Sequence, residues 1–311
     1  MVYNNVSKEN KKGVGVKNMN EETLLNFGGI ETEYSDCDKS KITVMPVPYD
    51  LTTTYISGTR NGPRAIIEAS THMELYDEEL KKETYRVGIH THNPLAVTDE
   101  RPEDMLRIVS EAVSSGIKAQ RFQVMVGGEH SISLGMVREL VKEYPDLSVL
   151  QLDAHADLRD NYQGTPYNHA CVGKRISEIC PLVQVGVRSM SKEEADFQST
   201  SQVVTISDYE IKRNECWADK VLDNLTNDVC LTLDLDVLDP AIMPAVGTPE
   251  PGGLNWYETI NFLRLISQNK KIVSFDLVEL SPKPGNVSPD FLAAKLMYRI
   301  MGYVAESRGW M

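Results

Sequence analysis

The stretch LSVLQLDAHADLRD, residues 147–160, joins an apolar run to three side chains of the kind that bind metals. The run SVLQL predicts a β-strand, and Asp153, His155 and Asp157 follow it at positions i, i+2 and i+4. On an extended strand, side chains at this spacing share one face. Ligands in open α/β sheets bind at the carboxyl ends of strands. The stretch therefore predicts three candidate metal ligands at one end of a strand.

Outward from this stretch, short apolar runs alternate with longer amphipathic segments. The apolar runs predict strands over 42–48, 122–128, 147–155, 182–187, 203–207, 228–237 and 272–280. The amphipathic segments predict helices over 60–70, 102–118, 133–144, 215–225, 254–269 and 288–304. This alternation predicts an α/β fold with three layers, in which helices cover both faces of a mostly parallel sheet. The uneven spacing of the polar motifs favours an open sheet over a TIM barrel.

The composition is that of an ordinary globular protein. The chain has 311 residues, of which 41% are hydrophobic and 25% are charged, and its formal net charge is −13. Nucleic acids and anionic membranes bind basic surfaces, so this charge argues against both as partners and suits a cationic substrate or metal ions. No apolar run reaches the roughly 18–20 residues that cross a bilayer, so we expect no membrane span.

The beginning of the chain differs in character from the rest. Residues 1–20 are polar and rich in Lys and Asn, so we expect a poorly ordered extension followed by a single domain over 21–311. The extension lacks the apolar segment of a secretory signal, which predicts a cytoplasmic protein. The five cysteines form no CxxC pair, in keeping with reduced thiols in that compartment.

Three further apolar runs end in polar side chains of similar types. LTLDLDV ends with Asp234 and Asp236, and VSFDLVEL carries Asp276 and Glu279. VMVGGEH delivers His130 after two glycines, which we expect to let the backbone approach a buried ion closely. A single Asp after a strand is usually a turn or cap residue. Four such strand ends in one chain instead indicate a shared site.

Metal ions would balance the charge of such a site. Carboxylates and imidazoles that converge without partners repel one another and are costly to desolvate. Two divalent cations would balance four carboxylates and leave a nearly neutral site for a bridging hydroxide. A set rich in oxygen, with some nitrogen and no thiolate, favours Mn²⁺ over structural zinc, and Fe²⁺ and Co²⁺ also fit.

These motifs resemble a known family. GGEHS (127–131), DAHADLR (153–159) and DLDVLDP (234–240) are similar to the three metal signatures of the ureohydrolases, which include arginase, agmatinase and formimidoylglutamase. PVPYD, GTRNGPRAIIEAS and GTPEPGGL also resemble that family, and the likeness covers roughly residues 40–305. Glu129 departs from the Asp that many members carry before the histidine. The resemblance implies an arginase-like fold and a single ureohydrolase catalytic domain over 21–311.

The resemblance also implies a ligand set for two Mn²⁺ per subunit. One ion would be held by His130, Asp153, Asp157 and Asp234. The other would be held by Asp153, His155, Asp234 and Asp236. Asp153 and Asp234 would then bridge the ions, and a bridging hydroxide would attack the guanidinium carbon of the substrate.

Two further residues match catalytic positions of the family. His169, in TPYNHACVG, matches a histidine that acts as a proton shuttle to the leaving amine, a task that suits an imidazole. Glu279 matches a carboxylate that accepts hydrogen bonds from the guanidinium. Within the family the chain looks most like agmatinase, which implies hydrolysis of agmatine to putrescine and urea. The family also implies a homo-oligomer, a trimer or hexamer.

Other readings of the sequence stay open. Arginine, guanidinobutyrate, formimidoylglutamate and aminopropylagmatine are alternative substrates, and a catalytically silent amine-binding homologue is a different class of function. A two-metal phosphoesterase is disfavoured because its GDxH and GNHE patterns do not occur. Arg159 would repel a cationic substrate tail, so we expect it to turn away from the site and pair with an acid.

Three residues resemble site residues without supporting context. His90 and His92 are separated by two positions but have no acidic neighbours, so we interpret them as ordinary strand or loop residues. Cys171 lies close to His169, and we expect a packed thiol because the implied chemistry needs no thiol nucleophile.

Overall fold

A parallel sheet of eight strands organises the protein. The computed structural model describes residues 25–98 and 101–311. The strand order across the sheet is β4-β1-β5-β10-β9-β6-β7-β8, and every neighbouring pair is parallel. The strands β2 and β3 form a separate small hairpin. The bounds are β1 Ile42–Val47, β2 Tyr76–Asp77, β3 Lys82–Glu83, β4 Ile89–Thr91, β5 Phe122–Gly127, β6 Ser148–Leu152, β7 Leu182–Val187, β8 Val204–Ser207, β9 Asp228–Asp234 and β10 Lys271–Val278.

Helices cover both faces of this sheet. Their bounds are α1 Thr32–Ser35, α2 Gly62–Ser70, α3 Pro102–Lys118, α4 Ser133–Glu143, α5 Val172–Ser177, α6 Lys192–Thr200, α7 Asp208–Ile211, α8 Trp217–Asn224, α9 Trp256–Asn269 and α10 Ser288–Ser307. One apolar core lies between the sheet and α2, α9 and α10. A second core lies on the other face, under α3, α4 and α5. Because successive side chains of a strand point to opposite faces, the fully buried strands serve both cores, as parallel sheets require.

The predicted three-layer α/β fold is confirmed, and most element bounds differ by only a few residues. Two differences matter for the site. The strand predicted over 147–155 ends at Leu152, and the strand predicted over 228–237 ends at Asp234 and continues as a 3₁₀ turn. Asp153, His155 and Asp157 therefore lie on the loop after β6 and not on an extended strand. At Asp157 the backbone leaves the extended conformation, with a left-handed φ of +53°.

Four neighbouring strands position the candidate ligands. The central strands β5, β10, β9 and β6 lie side by side. Asp234 is the last residue of β9, and the segments that follow β5, β10 and β6 carry His130, Glu279 and Asp153. Parallel strands end at the same edge of a sheet, so these side chains meet although they are distant in sequence.

Gly128 allows the loop after β5 to pass close to another backbone segment. A Cβ atom at this position would lie 1.8 Å from the carbonyl oxygen of Tyr49. That carbonyl accepts a hydrogen bond of 2.8 Å from the N–H of Glu129. The glycine is therefore required by packing against the segment after β1, and the expected approach of this backbone to an ion stays a prediction.

The remaining sequence expectations concern the chain as a whole. The predicted extension over residues 1–20 lies outside the described residues, and the domain limit at residue 21 stays a prediction. None of the helices that the structure describes is long and apolar enough to cross a membrane. All five cysteines are free thiols, as expected.

Candidate metal centre

One group of candidate ligands surrounds a ring nitrogen of His130. Its Nδ1 lies 3.1 Å from Asp153 Oδ2, 3.4 Å from Asp157 Oδ2 and 3.3 Å from Asp234 Oδ2. All four side chains are buried. His130, Asp153 and Asp157 offer ligand atoms close enough together to hold one metal ion. The structure therefore brings together the four residues that the resemblance implies for one ion.

A second group shares Asp153 with the first. His155 Nδ1 lies 2.8 Å from Asp236 Oδ2 and 3.8 Å from Asp153 Oδ1. Asp153 thus faces His130 with one carboxylate oxygen and His155 with the other. Asp153, His155 and Asp236 form the second set of ligand atoms with metal-binding spacing among the described residues. This placement suits a bridging role for Asp153.

Asp234 is placed differently from Asp153. Its Oδ2 faces His130, whereas its Oδ1 accepts a hydrogen bond of 2.9 Å from the N–H of Asp236. That bond belongs to the 3₁₀ turn after β9, which folds Asp236 back toward the site. The bridging role implied for Asp234 stays a prediction.

The hydrogen bonds of His130 test whether a cation fits between these groups. The hydroxyl of Thr232 donates to Asp276 Oδ1 over 2.6 Å, and its oxygen lies 2.9 Å from His130 Nε2. Because the hydroxyl proton is directed to Asp276, Nε2 of His130 carries a proton and donates to Thr232. The buried Nδ1 then presents a lone pair to three carboxylates and has no hydrogen-bond partner within the part of the chain that the structure describes. A metal ion satisfies this arrangement, since metal-binding histidines donate their other N–H to a protein acceptor.

The electrostatics of the site also favour bound cations. Burial, with repulsion from Asp153, raises the pKa of Asp157 to about 7. Burial, with repulsion from Asp236 and Asp153, raises the pKa of Asp234 well above its usual range. Burial lowers the pKa of His155, but attraction to Asp236 outweighs it and brings the value to about 11. Without cations, the site thus favours bound protons, and cations would take the place of those protons.

Two site residues have left-handed backbone conformations. Asp157 has a φ of +53° and Glu279 a φ of +68°, a region that side chains other than glycine rarely adopt. The loop after β10 is fixed by a hydrogen bond of 2.8 Å from the N–H of Glu279 to the carbonyl of Gly128. Strained backbone of this kind concentrates at functional sites, where the surrounding structure maintains it.

The two groups open into a cavity of about 260 Å³. His155, Asp157, Asp234 and Asp236 line it, together with His169 and Glu279. Burial lowers the pKa of the His169 ring to about 4, and burial raises the pKa of Glu279 well above its usual range. The cavity thus contains a neutral imidazole and a desolvated carboxyl group beside the candidate metal ligands.

The predicted pairing of Arg159 with an acid is confirmed. Its Nε lies 3.8 Å from Glu194 Oε2, and its guanidinium stacks 4.7 Å from the ring centre of Tyr162. The side chain nevertheless lines the same cavity as His155 and Glu279, so it is not turned away from the site. Asp160 instead pairs with Arg175 at the surface.

The three residues with weaker sequence context lie outside the site. His90 belongs to β4, its Nδ1 lies 2.9 Å from the carbonyl of Ser35, and its ring packs edge-on against His92. Neither histidine belongs to a metal-binding group among the described residues. Cys171 is buried, and burial raises the pKa of its thiol to about 11.

Three site neighbours were missed from the sequence. Thr52 contacts His169, Thr232 contacts His130, and Glu194 contacts Arg159. Thr232 lies within β9 and Thr52 in the loop after β1, and a threonine at such positions carries no chemical signal of its own. Glu194 was detectable, because SKEE over 191–194 fits the helix-starting pattern S-x-x-E, and Ser191 and Glu194 do form that capping box at α6.

A parallel sheet with two adjoining groups of carboxylates and imidazoles at its carboxyl edge is the arrangement by which a metal-dependent hydrolase would hold its ions. The model of the arginase family matches residues 40–302, and the chain belongs to that family of ureohydrolases. Members of the family are binuclear metal enzymes.

Two relatives and one solved structure illustrate the similarity of this chain to known ureohydrolases. The N(1)-aminopropylagmatine ureohydrolase of Synechocystis sp. is 39% identical, over 89% of this chain and 92% of the relative. The agmatinase of Pyrococcus horikoshii is 34% identical, over 85% of this chain and 92% of the relative. The crystal structure of agmatine ureohydrolase of Thermoplasma volcanium superposes with a TM-score of 0.80 at 32% identity, covering 88% and 92% of the two chains.

Proposed function

We propose that the protein hydrolyses the guanidinium group of an amine-tailed guanidine, N1-aminopropylagmatine, and releases urea and a triamine. The observation that carries this proposal is the convergence of His130, Asp153 and Asp157 with His155 and Asp236 at one edge of the sheet. Such a framework would suit a metal centre of the arginase family, to which the chain belongs, and a guanidinium is the group that arginases and agmatinases hydrolyse.

The metal part of the proposal concerns two Mn²⁺ ions per subunit. His130, Asp153, Asp157 and Asp234 would hold one, and Asp153, His155, Asp234 and Asp236 would hold the other. When bound, such ions neutralise the carboxylates and make water a stronger nucleophile at neutral pH. The absence of thiolates and the excess of oxygen ligands favour Mn²⁺.

Two cavity residues act on the substrate in this proposal. Glu279 accepts hydrogen bonds from the guanidinium, which orients its planar carbon toward the metal ligands, because carboxylates match the fork of guanidinium N–H groups. His169 takes up the proton that the attacking water releases and passes it to the nitrogen that leaves, so that a neutral amine departs. The low pKa of His169 means that a proton on this ring is readily given up.

The choice of tail follows from the relatives and from charge. Relatives named aminopropylagmatine ureohydrolase include those at 39% and 35% identity, whereas the agmatinase of Pyrococcus horikoshii is 34% identical. The net charge of −13 suits a substrate with two ammonium groups in its tail. Agmatine is the second candidate, since a relative and a similar solved structure carry that activity in their names.

Urea release by the purified, Mn²⁺-loaded protein tests the proposal. The panel contains N1-aminopropylagmatine, agmatine, arginine and guanidinobutyrate at matched concentrations. We expect the highest kcat/KM with N1-aminopropylagmatine. Preference for agmatine would change only the substrate, and no urea from any compound would contradict the function. Assembly into a trimer or hexamer, and the cytoplasmic location, stay predictions.

A further inference from the structure

A buried carboxylate beside the metal centre has no part in the chemistry described so far. Glu129 is completely buried, yet it is not among the implied metal ligands. Its Oε2 accepts the backbone N–H of Thr52 over 2.6 Å, and its Oε1 accepts the Thr52 hydroxyl over 2.6 Å. Ser131 donates a third hydrogen bond to Oε1. Glu129 thus holds Thr52 through both its backbone and its side chain.

Thr52 in turn contacts the cavity histidine. Its Oγ1 accepts the backbone N–H of His169 over 3.0 Å and lies 3.4 Å from the ring nitrogen Nδ1. Its carbonyl accepts a hydrogen bond of 3.4 Å from the side chain of Asn168. Thr52 is buried, so these contacts are shielded from water. A residue after β1 therefore fixes the loop that carries His169.

The direction of these hydrogen bonds decides which ring nitrogen of His169 carries a proton. A hydroxyl has one proton, and that of Thr52 is donated to Glu129. Toward His169 the oxygen of Thr52 can only accept, so Nδ1 must donate to it. Among the described residues, no protein group bonds to the other ring nitrogen, Nε2, and the ring lines the cavity. In a histidine, the partner of one nitrogen determines the state of the other.

We propose that Thr52, held by Glu129, is a positioning residue that keeps a proton on Nδ1 of His169 and so confines proton exchange to Nε2. The inference rests on the proposed function, because it assigns His169 the role of proton donor. In the neutral ring, Nδ1 donates to Thr52 and Nε2 is free to accept a proton. In the charged ring, Nδ1 still donates to Thr52, and the proton on Nε2 passes to the leaving nitrogen.

Replacement of the hydroxyl tests this arrangement. Thr52→Val removes it at nearly constant volume, and we expect kcat to fall at least about ten-fold, while KM changes less than about two-fold. Thr52→Ser retains the hydroxyl, and we expect it to restore kcat to within about three-fold of the unsubstituted enzyme. Thr259→Val is the matched control, since Thr259 is a buried threonine in α9 whose hydroxyl donates to the backbone carbonyl of Asn255, and neither residue lines the cavity.

A double-mutant cycle separates positioning from simple structural support. If Thr52 acts through His169, Thr52→Val has no further effect on kcat in the His169→Asn background. A further drop of the size seen in the unsubstituted background would overturn the inference, as would an unchanged kcat in Thr52→Val. Thermal unfolding shows whether each variant is folded, and metal analysis shows whether it binds metal. If Thr52→Val does not fold, the kcat of Thr52→Ser is compared with that of the unsubstituted enzyme instead.

Failure of this inference and failure of the proposed function look different. If the unsubstituted enzyme releases no urea from any guanidine, both are overturned. If it releases urea and His169→Asn lowers kcat, but Thr52→Val behaves like Thr259→Val, only the role of Thr52 is overturned.

Discussion

The Oε1 atom of Glu279 accepts a hydrogen bond of 2.7 Å from the backbone N–H of His130. The carboxylate proposed to bind the guanidinium is therefore fastened to the segment that supplies a candidate metal ligand. In return, the N–H of Glu279 donates to the carbonyl of Gly128, two residues before His130. These two bonds join the loops after β5 and β10, so substrate and metal are positioned relative to one another by the same short stretch of backbone.

The first prediction concerns the charge of Glu279. Glu279→Gln keeps an oxygen that can accept the N–H of His130 but removes the negative charge that faces the guanidinium. Hydrogen bonds to charged groups are worth about 1.5–3 kcal/mol, so we expect kcat/KM to fall about ten- to a hundred-fold. Steady-state urea release measures this, with Glu111→Gln at a surface ion pair as control. An unchanged kcat/KM would remove Glu279 from the substrate site.

The second prediction concerns the carboxylate shared by both groups. Asp153 faces His130 with Oδ2 and His155 with Oδ1, so Asp153→Asn should weaken both bound ions. We expect metal content, measured by mass spectrometry after dialysis, to fall well below that of the unsubstituted protein. The control variant Asp160→Asn, at an exposed position, should bind as much metal as the unsubstituted protein. Loss of only one equivalent would argue against a bridging role for Asp153.

The third prediction concerns proton transfer. His169→Asn removes the proposed proton donor, and general acid–base help is typically worth about 10²–10⁴-fold, so we expect kcat to fall roughly ten- to a thousand-fold. Bound metal should be unaffected, because no contact joins the His169 side chain to a candidate ligand among the described residues. A small weak acid in the assay should restore part of the rate. Full activity without such an additive would contradict the role of His169.

The sequence predicted the layers of the fold and the ends of the strands that carry ligands, because apolar runs followed by Asp or His are local features. It did not predict that β5, β10, β9 and β6 are neighbours, since strand order depends on long-range packing. It also misjudged the conformation of residues 153–157, because a left-handed Asp157 is imposed by the site and not by local preference. The contact between Thr52 and His169 joins residues 117 positions apart and leaves no pattern in the sequence.

The fourth prediction concerns the protein after metal removal. In the metal-free folded protein, the pKa of His155 is raised to about 11, whereas the ordinary histidine pKa of about 6.5 applies to the unfolded chain. Between these two values, the folded state holds a proton that the unfolded state has lost. Fewer protons on the unfolded state mean that stability falls as pH rises. We expect the Tm of the chelated protein to fall between pH 7 and 9.

Other site groups either act in the same direction as His155 or act outside this window. The pKa of His130 is also raised well above its ordinary value, so it adds to the fall in stability as pH rises. The raised pKa of Asp157, about 7, acts mainly below that pH, and the low pKa of His169 has its effect below about 6.5. In the Mn²⁺-loaded protein, ligand imidazoles are deprotonated, so its Tm should change less over the same range. Chelation should abolish urea release, and added Mn²⁺ should restore it. Equal pH dependence of Tm with and without Mn²⁺ would contradict metal binding at His155.

The last prediction concerns the tail of the substrate. An unpaired Arg159 guanidinium about 4 Å from a cationic substrate tail would repel it by on the order of 4 kcal/mol at an effective dielectric of about 20. That repulsion would weaken substrate binding. The pairing of Arg159 with Glu194 and its stacking on Tyr162 offset that charge within the cavity. We therefore expect N1-aminopropylagmatine and agmatine to exceed arginine and guanidinobutyrate in kcat/KM by at least about a hundred-fold.

The same pairing predicts the effect of removing the arginine. In Arg159→Gln the carboxylate of Glu194 is no longer neutralised, yet it keeps its hydrogen bonds from the backbones of Leu158 and Ser191 and stays in place. An uncompensated carboxylate attracts ammonium groups, so KM for the amine-tailed substrates should fall a few-fold. Arg213→Gln, which removes an arginine stacked on the exposed Tyr209, should leave KM unchanged. If guanidinobutyrate is instead the best substrate and Arg159→Gln abolishes its turnover, Arg159 binds a carboxylate tail, and the proposed substrate is wrong while the metal centre is unaffected.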